Sequence, residues 1–391
     1  MKLTEKDIIR IINGSSLLAS GGGGSVTDGM GLLNTYKENH PGQPIEIEMI
    51  TVDEMEPETC CVVLAGIGAP TKGANKDFTV CASASYDEIC IMAKDIGKKV
   101  GYVMPIEMGG FNTFAPMLLT LTEGHPVIDA DGVGRAVPGL DTVLVHINGY
   151  DTSPLAMGGE NNDRIQIKMD DPRNAMGAQA IAGPIANGFF DGNAGIAGWM
   201  LNKEQIKDSI PIGTITLARE IGIIIEDALE EKDADGQDFI EDLFERITDL
   251  DGIEAMTLTA PTIIDTFNPN PDPHFDNGDY YIGKGDEDEP RYKISYENEN
   301  LVIYKVNGSE EIPFMTAPDI IMLYNAETGE PVTNEDIEQN YHAGTLEELI
   351  VVLGLIKVDE KWWKDEDATY EAWKSYFAEV GYDGGIIKYP K

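Results

Sequence analysis

The sequence predicts an α/β protein: a layered α/β domain over residues 1–168, followed over residues 169–391 by a mixed helical, then mainly β, domain. Three observations predict it. Through the first part, short buried apolar runs that end in glycine alternate with helical segments, the pattern of successive β and α units. Beyond Ile165 the pattern gives way to long helical stretches, and past Gly252 to strand-rich runs. The length of 391 residues suffices for two domains or one large one.

Thr4 and Asp7 open a helix whose apolar face is Ile8, Ile11, Ile12 and Leu18. It runs into Ser20 and four consecutive glycines, Gly21 to Gly24, which no ordinary helix interior accommodates. A second helix covers Asp28 to Tyr36. Ile45 to Ile50 alternates as a half-exposed strand. Cys61 to Ala65 reads as a buried strand, followed by a glycine-rich turn from Gly66 to Thr71. Ser85 and Glu88 read as a capping box for a helix with Ile89, Ala93 and Ile96 inward.

The stretch from Val103 to Leu140 follows. Val103, Met104 and Ile106 lead into Glu107, Gly109, Gly110 and Asn112. A helix is expected from Asn112 to Glu123. Val127 and Ile128 then lead into Asp129, Asp131, Gly132, Gly134 and Arg135. Ligands of open α/β sheets bind outside the carboxyl ends of the strands, so these polar groups are expected to share one crevice.

In the second part, Ile165 to Met169 alternates as a strand, and a helix is expected from Pro172 to about Ala186. Further helices are expected over Ile210–Leu229 and Asp233–Asp249. Strands are expected within Met256–Thr266 and Tyr280–Lys305 and over Ile320–Tyr324, with a proline-rich loop from Asn268 to Gly278. Trp362, Trp363 and Trp373 predict that the last thirty residues dock.

The 69 Asp and Glu against 28 Lys and Arg give a net charge of −41. Such a surface repels phosphate backbones, which argues against nucleic-acid binding. No apolar stretch reaches the ~18 residues of a membrane span, and the N-terminus lacks a signal-peptide core. Cys60, Cys61, Cys81 and Cys90 form neither a zinc-ribbon nor a disulfide spacing. A cytoplasmic location is the expectation.

The chemistry-bearing motifs are narrowed by elimination. The four glycines follow a helix rather than a strand and lack the lysine of a phosphate loop, so no nucleotide is expected. The five histidines form no paired zinc motif. No G-x-S-x-G marks a serine hydrolase. The acidic run Asp286 to Glu289 lacks EF-hand spacing. What remains is the carboxylate set Glu107, Asp129 and Asp131, with Asn112, Arg135 and the amides of Gly22, Gly23 and Gly24. Paired carboxyls can divide acid and base roles or hold a hard divalent metal. The simpler alternative is that Asp129 or Asp131 caps a helix and Arg135 pairs with it.

These motifs also occur together in one order: SLLASGGGGS at Ser16, GIGAPT at Gly66, MPIEMGGFN at Met104, VIDADGVGRAVPGL at Val127, SIPIGTITLAREIG at Ser209, ENENLVIY at Glu297 and APDIIMLYNAETGEPVT at Ala317. In this the chain resembles the DUF917 group, related to S-methyl thiohydantoin desulfurases and linked with hydantoinase and oxoprolinase genes. It departs from the group's pattern at Gly132-Val133, where a glycine-methionine step is expected. The resemblance implies two domains, the first a three-layer α/β unit and the second largely β with some helices, and the hydrolysis of a small cyclic amide or thiohydantoin-like ring, S-methyl thiohydantoin giving hydantoin and methanethiol. For that chemistry the expected roles are Asp129 or Asp131 as base, Glu107 as acid, and Arg135, Asn112 and the Gly22–Gly24 amides as charge stabilisers. The expected partners are a small cyclic substrate and further copies of the chain. The alternative reading is a non-catalytic ligand-binding or regulatory subunit of a hydantoinase or oxoprolinase-type enzyme.

Overall fold

A computed structural model describes residues 1–68, 77–231, 237–271, 276–283 and 291–390. Pro70 and Thr71 of the second glycine turn, Asp233, His274 in the proline-rich segment, and Asp286 to Glu289 lie outside these.

The first sheet contains β1 (Lys2–Thr4), β2 (Glu46–Ile50), β3 (Thr59–Ile67), β4 (Lys99–Pro105), β5 (Val127–Ile128), β6 (Leu155–Gly159), β7 (Arg164–Ile167) and β8 (Ala194–Leu201). Their order is β1-β2-β5-β4-β3-β8-β6-β7. The central strands β2, β5, β4 and β3 run parallel, and β8, β6 and β7 extend the sheet antiparallel. Alternation sorts their side chains into two cores. Cys61, Val63, Met104 and Ile128 pack on one face, and Cys60, Val62, Val103 and Val127 on the other. Helices cover both faces, giving three layers, and the two adjacent cysteines point to opposite sides as alternation predicts.

The second sheet contains β9 (Ala255–Thr257), β10 (Thr262–Pro271), β11 (Asp276–Ile282), β12 (Arg291–Glu297), β13 (Glu299–Asn307), β14 (Glu310–Thr316), β15 (Ile320–Asn325) and β16 (Ile350–Ile356). It is antiparallel, in the order β14-β13-β12-β11-β10-β16-β15, with β9 on β16. One apolar cluster unites the two halves: Val63 and Met104 share it with Leu301, Val352, Trp362 and Trp373.

Several local expectations hold. Thr4 and Asp7 form the capping box of the helix Glu5–Leu18, and the helix expected over Asp28 to Tyr36 runs Val26–Asn39. Others are corrected. The helix containing Ser85 begins at Phe78, capped by Asp77; Ser85 is interior, donating to the Ala82 carbonyl, and Ile96 ends the helix exposed. Its first turns, Phe-Thr-Val-Cys, are weak helix formers, so the pattern delayed the start. The stretch Asn112 to Glu123 is two helices, Gly110–Phe114 and Met117–Glu123, separated at Pro116. The helix expected from Pro172 starts at Ala175 behind an Asn174 cap, and that expected from Ile210 starts at Thr214. Of the proline-rich loop, Asn268 to Pro271 belongs to β10 and pairs with Asp279 to Asp276 of β11. Among the described residues β10 pairs with β16 only at Thr262 and Ile263, so Pro269 and Pro271 lie on an edge portion of the strand, where proline is tolerated. The tryptophans dock: Trp362 and Trp373 are fully buried, and the indole N–H of Trp362 donates to the Val133 carbonyl at 3.0 Å.

Candidate active site

The parallel strands deliver their loops to one end of the sheet. Gly66 lies near the end of β3, Glu107 just past β4, and Asp129 and Asp131 just past β5. The glycine loop after the first helix lies across these ends. The Gly23 carbonyl accepts from the Asn112 amide at 3.2 Å, and the Gly24 carbonyl from the Gly110 amide at 2.9 Å. A Cβ at Gly23 would stand 2.3 Å from the Met108 carbonyl oxygen, so only glycine permits this approach. Gly22, Gly23, Gly24, Gly66 and Asn112 are partly exposed, while Ser20, Glu107, Asp131 and Arg135 behind them are buried. The amides of Gly23 and Gly24 have no acceptor among the described residues.

Glu107 is held on both oxygens. Its Oε1 accepts from Asn112 Nδ2 at 2.6 Å and its Oε2 from the Val137 amide at 2.9 Å. Asn112 is fixed in turn by the Gly66 amide, which donates to its Oδ1 at 3.0 Å. Burial pushes the Glu107 carboxyl up to about 7 against those two donors; Asp131 adds to the rise and Arg135 opposes it.

Asp131 is completely buried. Its Oδ2 accepts from the amides of Val133 and Gly134 at 3.0 and 2.7 Å, and its Oδ1 has no hydrogen-bond partner. Burial raises its carboxyl to about 7 as well, with the Gly134 amide, the Thr214 hydroxyl and the Val133 amide holding it down.

Two expected site residues have other work. Asp129 accepts from the Thr216 amide at 3.0 Å on Oδ1 and from the Thr216 hydroxyl at 2.6 Å on Oδ2. It therefore caps the helix Thr214–Glu231, which is the simpler alternative read from the sequence. Arg135 is fully buried and spans the two sheets. Nε donates to the Ala136 carbonyl, Nη1 to those of Pro318 and Asp319, and Nη2 to that of Asn300, at 2.6 to 3.3 Å. Trp373 lies 5.1 Å from its guanidinium carbon. Burial lowers its pKa to about 10, which leaves it cationic at neutral pH, and the carboxyls of Glu299, Asp319 and Glu107 support the charge. It is a latch between domains and makes no ion pair with Asp129 or Asp131.

Sequence reasoning missed the second domain's contribution. The hairpin tip between β12 and β13 carries Glu297, Asn298, Glu299 and Asn300 into the junction, where Glu297, Glu299 and Asn300 are buried. The Asn300 amide donates to the Ser20 carbonyl at 2.7 Å, and Asn334, from the helix Asn334–Ala343, donates its amide to the Gly21 carbonyl at 2.9 Å. Glu299 lies against Gly22, has no partner on Oε2, and is raised far above the usual carboxyl range by burial and by Glu107. The signal was the run Glu-Asn-Glu-Asn directly before the buried strand Leu301–Tyr304. Nearby, Tyr376 donates to Asp141 at 2.6 Å.

The other chemistries do not gather here. Burial pushes the thiols of Cys60, Cys61 and Cys90 upward, away from thiolate character. Among the described residues no group of three or more His, Cys, Asp or Glu side chains is arranged to hold a metal ion, and no helix is long and apolar enough to cross a membrane. A cavity of about 130 Å³ lined by Lys98, Tyr150, Ser153 and Trp199 shares no residue with the crevice.

Known proteins agree with this architecture. A crystal structure of a protein from Chromobacterium violaceum superposes with a TM-score of 0.84 at 22% identity, covering 100% of both chains, so the fold is shared. No curated protein matches the sequence. The family model for the S-Me-THD-like N-terminal domain matches residues 6–169, and that for the S-Me-THD-like C-terminal domain matches residues 178–367. The chain therefore belongs to the S-Me-THD-like family.

Proposed function

We propose that the crevice hydrolyses a small cyclic amide or thiohydantoin-like ring, converting an S-methyl thiohydantoin to hydantoin and methanethiol. The observation that carries this reading is Glu107. It is a buried carboxyl at a strand end, oriented by Asn112 and the Val137 amide and poised at about 7. Near neutrality such a group exists in both protonation states, which suits it to give and take protons.

The two donors on Glu107 favour its ionised form, so it is assigned the first role of base. It removes a proton from water as the water adds to the ring carbon between the nitrogens. The same proton then leaves with the thiol, which is the acid role expected from the sequence. The unaccepted amides of Gly23 and Gly24 face the crevice as donors for a ring carbonyl. Asp131, with both loop amides on one oxygen, holds the Asp131–Arg135 turn in place.

The test is thiol release from an S-methylated thiohydantoin. Wild type is expected to release thiol, and Glu107→Gln to lose rate by about a hundred-fold or more with a much smaller change in KM. Dialysis against a chelator, followed by metal add-back, decides whether a divalent ion held by these carboxyls takes part. No release by fresh or metal-supplemented protein would overturn the reading in favour of a ring-binding subunit.

A further inference from the structure

We propose that Glu299, on the second domain's hairpin tip, is held protonated beside Glu107 and is the proton donor to the ring nitrogen. The identity of the ring rests on the function proposed above; the placement of the proton does not.

Glu299 is 3% exposed and its Oε2 has no hydrogen-bond partner. A buried carboxylate without donors is strongly disfavoured, whereas a neutral carboxylic acid loses far less by burial. Glu107 receives a donor on each oxygen, from Asn112 and Val137, while Glu299 has only its own backbone amide as a donor and its Oε2 has no partner among the described residues. Of two neighbouring carboxyls, the one with more donors keeps the charge and the other keeps the proton.

Glu299 also faces the crevice wall. A Cβ on Gly22 would meet its Oε1 at 2.1 Å, and one on Gly23 would meet the Met108 carbonyl at 2.3 Å. The partly exposed glycine loop is thus flanked by Glu299 on one side and by the Glu107–Gly109 turn on the other. The charged groups acting on Glu299 are Glu107 and Glu297, which disfavour its ionisation, and Arg135, which favours it. Arg135 is already engaged by four backbone carbonyls, so its field does not require a second anion.

The steps balance. As water adds to the ring carbon, Glu107 takes one water proton, the C=N electron pair moves to the ring nitrogen, and Glu299 protonates that nitrogen. When the intermediate collapses, the new hydroxyl returns its proton to Glu299 and the C–S bond breaks. Methanethiolate takes the proton held by Glu107. Both carboxyls return to their starting states.

Two measurements on the full-length protein test this. Infrared difference spectra at neutral pH, wild type minus Glu299→Gln, are expected to contain the carbonyl stretch of a protonated carboxylic acid. Thermal stability should be nearly unchanged, because glutamine is isosteric with the neutral acid. In the thiol-release assay, Glu299→Gln is expected to lower kcat about a hundred- to ten-thousand-fold and to remove the alkaline limb of the pH profile. Absence of the band, or a variant with wild-type rate and pH profile, would overturn the proposal. If wild type releases no thiol, the proposed function fails; the band then decides whether Glu299 holds a proton, and its absence overturns that too.

Discussion

The Glu299 carboxyl and the Gly22 backbone, from opposite domains, are in contact so close that a Cβ at Gly22 would stand 2.1 Å from Glu299 Oε1. Gly22→Ala is therefore expected to cost about 1–3 kcal/mol, the range for overfilling a packed site, and to depress thiol release. Shortening the opposing side chain relieves the clash. Urea unfolding of Gly22→Ala, Glu299→Ala and the double variant should give a double-variant loss smaller than the sum of the singles. Strict additivity would mean that the contact is not the cause.

Arg135 is expected to govern stability. Its removal strips hydrogen bonds from the carbonyls of Pro318, Asp319 and Asn300 and leaves buried carboxyls without their cation. Arg135→Met should lower unfolding free energy by about 3–5 kcal/mol. Arg135→Lys should recover only part of it, since one ammonium cannot reach carbonyls on several sides. Denaturant midpoints of the two variants against wild type are the check.

Asp129 is expected to behave as a helix cap. Asp129→Ala should cost about 0.5–2 kcal/mol while leaving kcat within a few-fold of wild type. A loss in kcat comparable to that of Glu107→Gln, at unchanged stability, would return Asp129 to the chemistry.

Stability should fall as pH rises toward neutrality. Glu107 and Asp131 stand at about 7 in the folded chain against ordinary values of 4.5 and 3.8. Between those limits the folded state binds more protons than the unfolded state, so unfolding free energy declines with pH. The contribution is fully present below about 4 and is lost as pH passes through about 7. Melting temperatures between pH 5 and 8 should show the decline, and Glu107→Gln or Asp131→Asn should flatten it. An unchanged slope in both variants would refute the raised values.

Much of the first domain was legible because its signals are local. The apolar runs at Cys61, Val103 and Val127 end in glycine and acid, and the rule for parallel sheets then brings Glu107, Asp129 and Asp131 to one end. Periodicity could not divide labour among those acids. Asp129 meets the start of a distant helix at Thr216 while Asp131 meets its own loop amides, and nothing local in the sequence separates the two. Nor could it see Glu299, because a polar run before a strand reads as exposed until another domain covers it.

The sequence by itself determined the alternating elements, the capping box at Thr4, the strand-end acids and the need for glycine between Ser20 and Ser25. Each depends on residues a few positions apart. Only the tertiary structure decided that Arg135 serves carbonyls of the second sheet, that Asp129 is consumed by Thr216, and that Glu299 meets Gly22 beside Glu107. The protonation of buried groups depends on what desolvates them and which donors reach them. Here those neighbours come from the opposite domain, so that chemistry is written in the packing and not in any one stretch of chain.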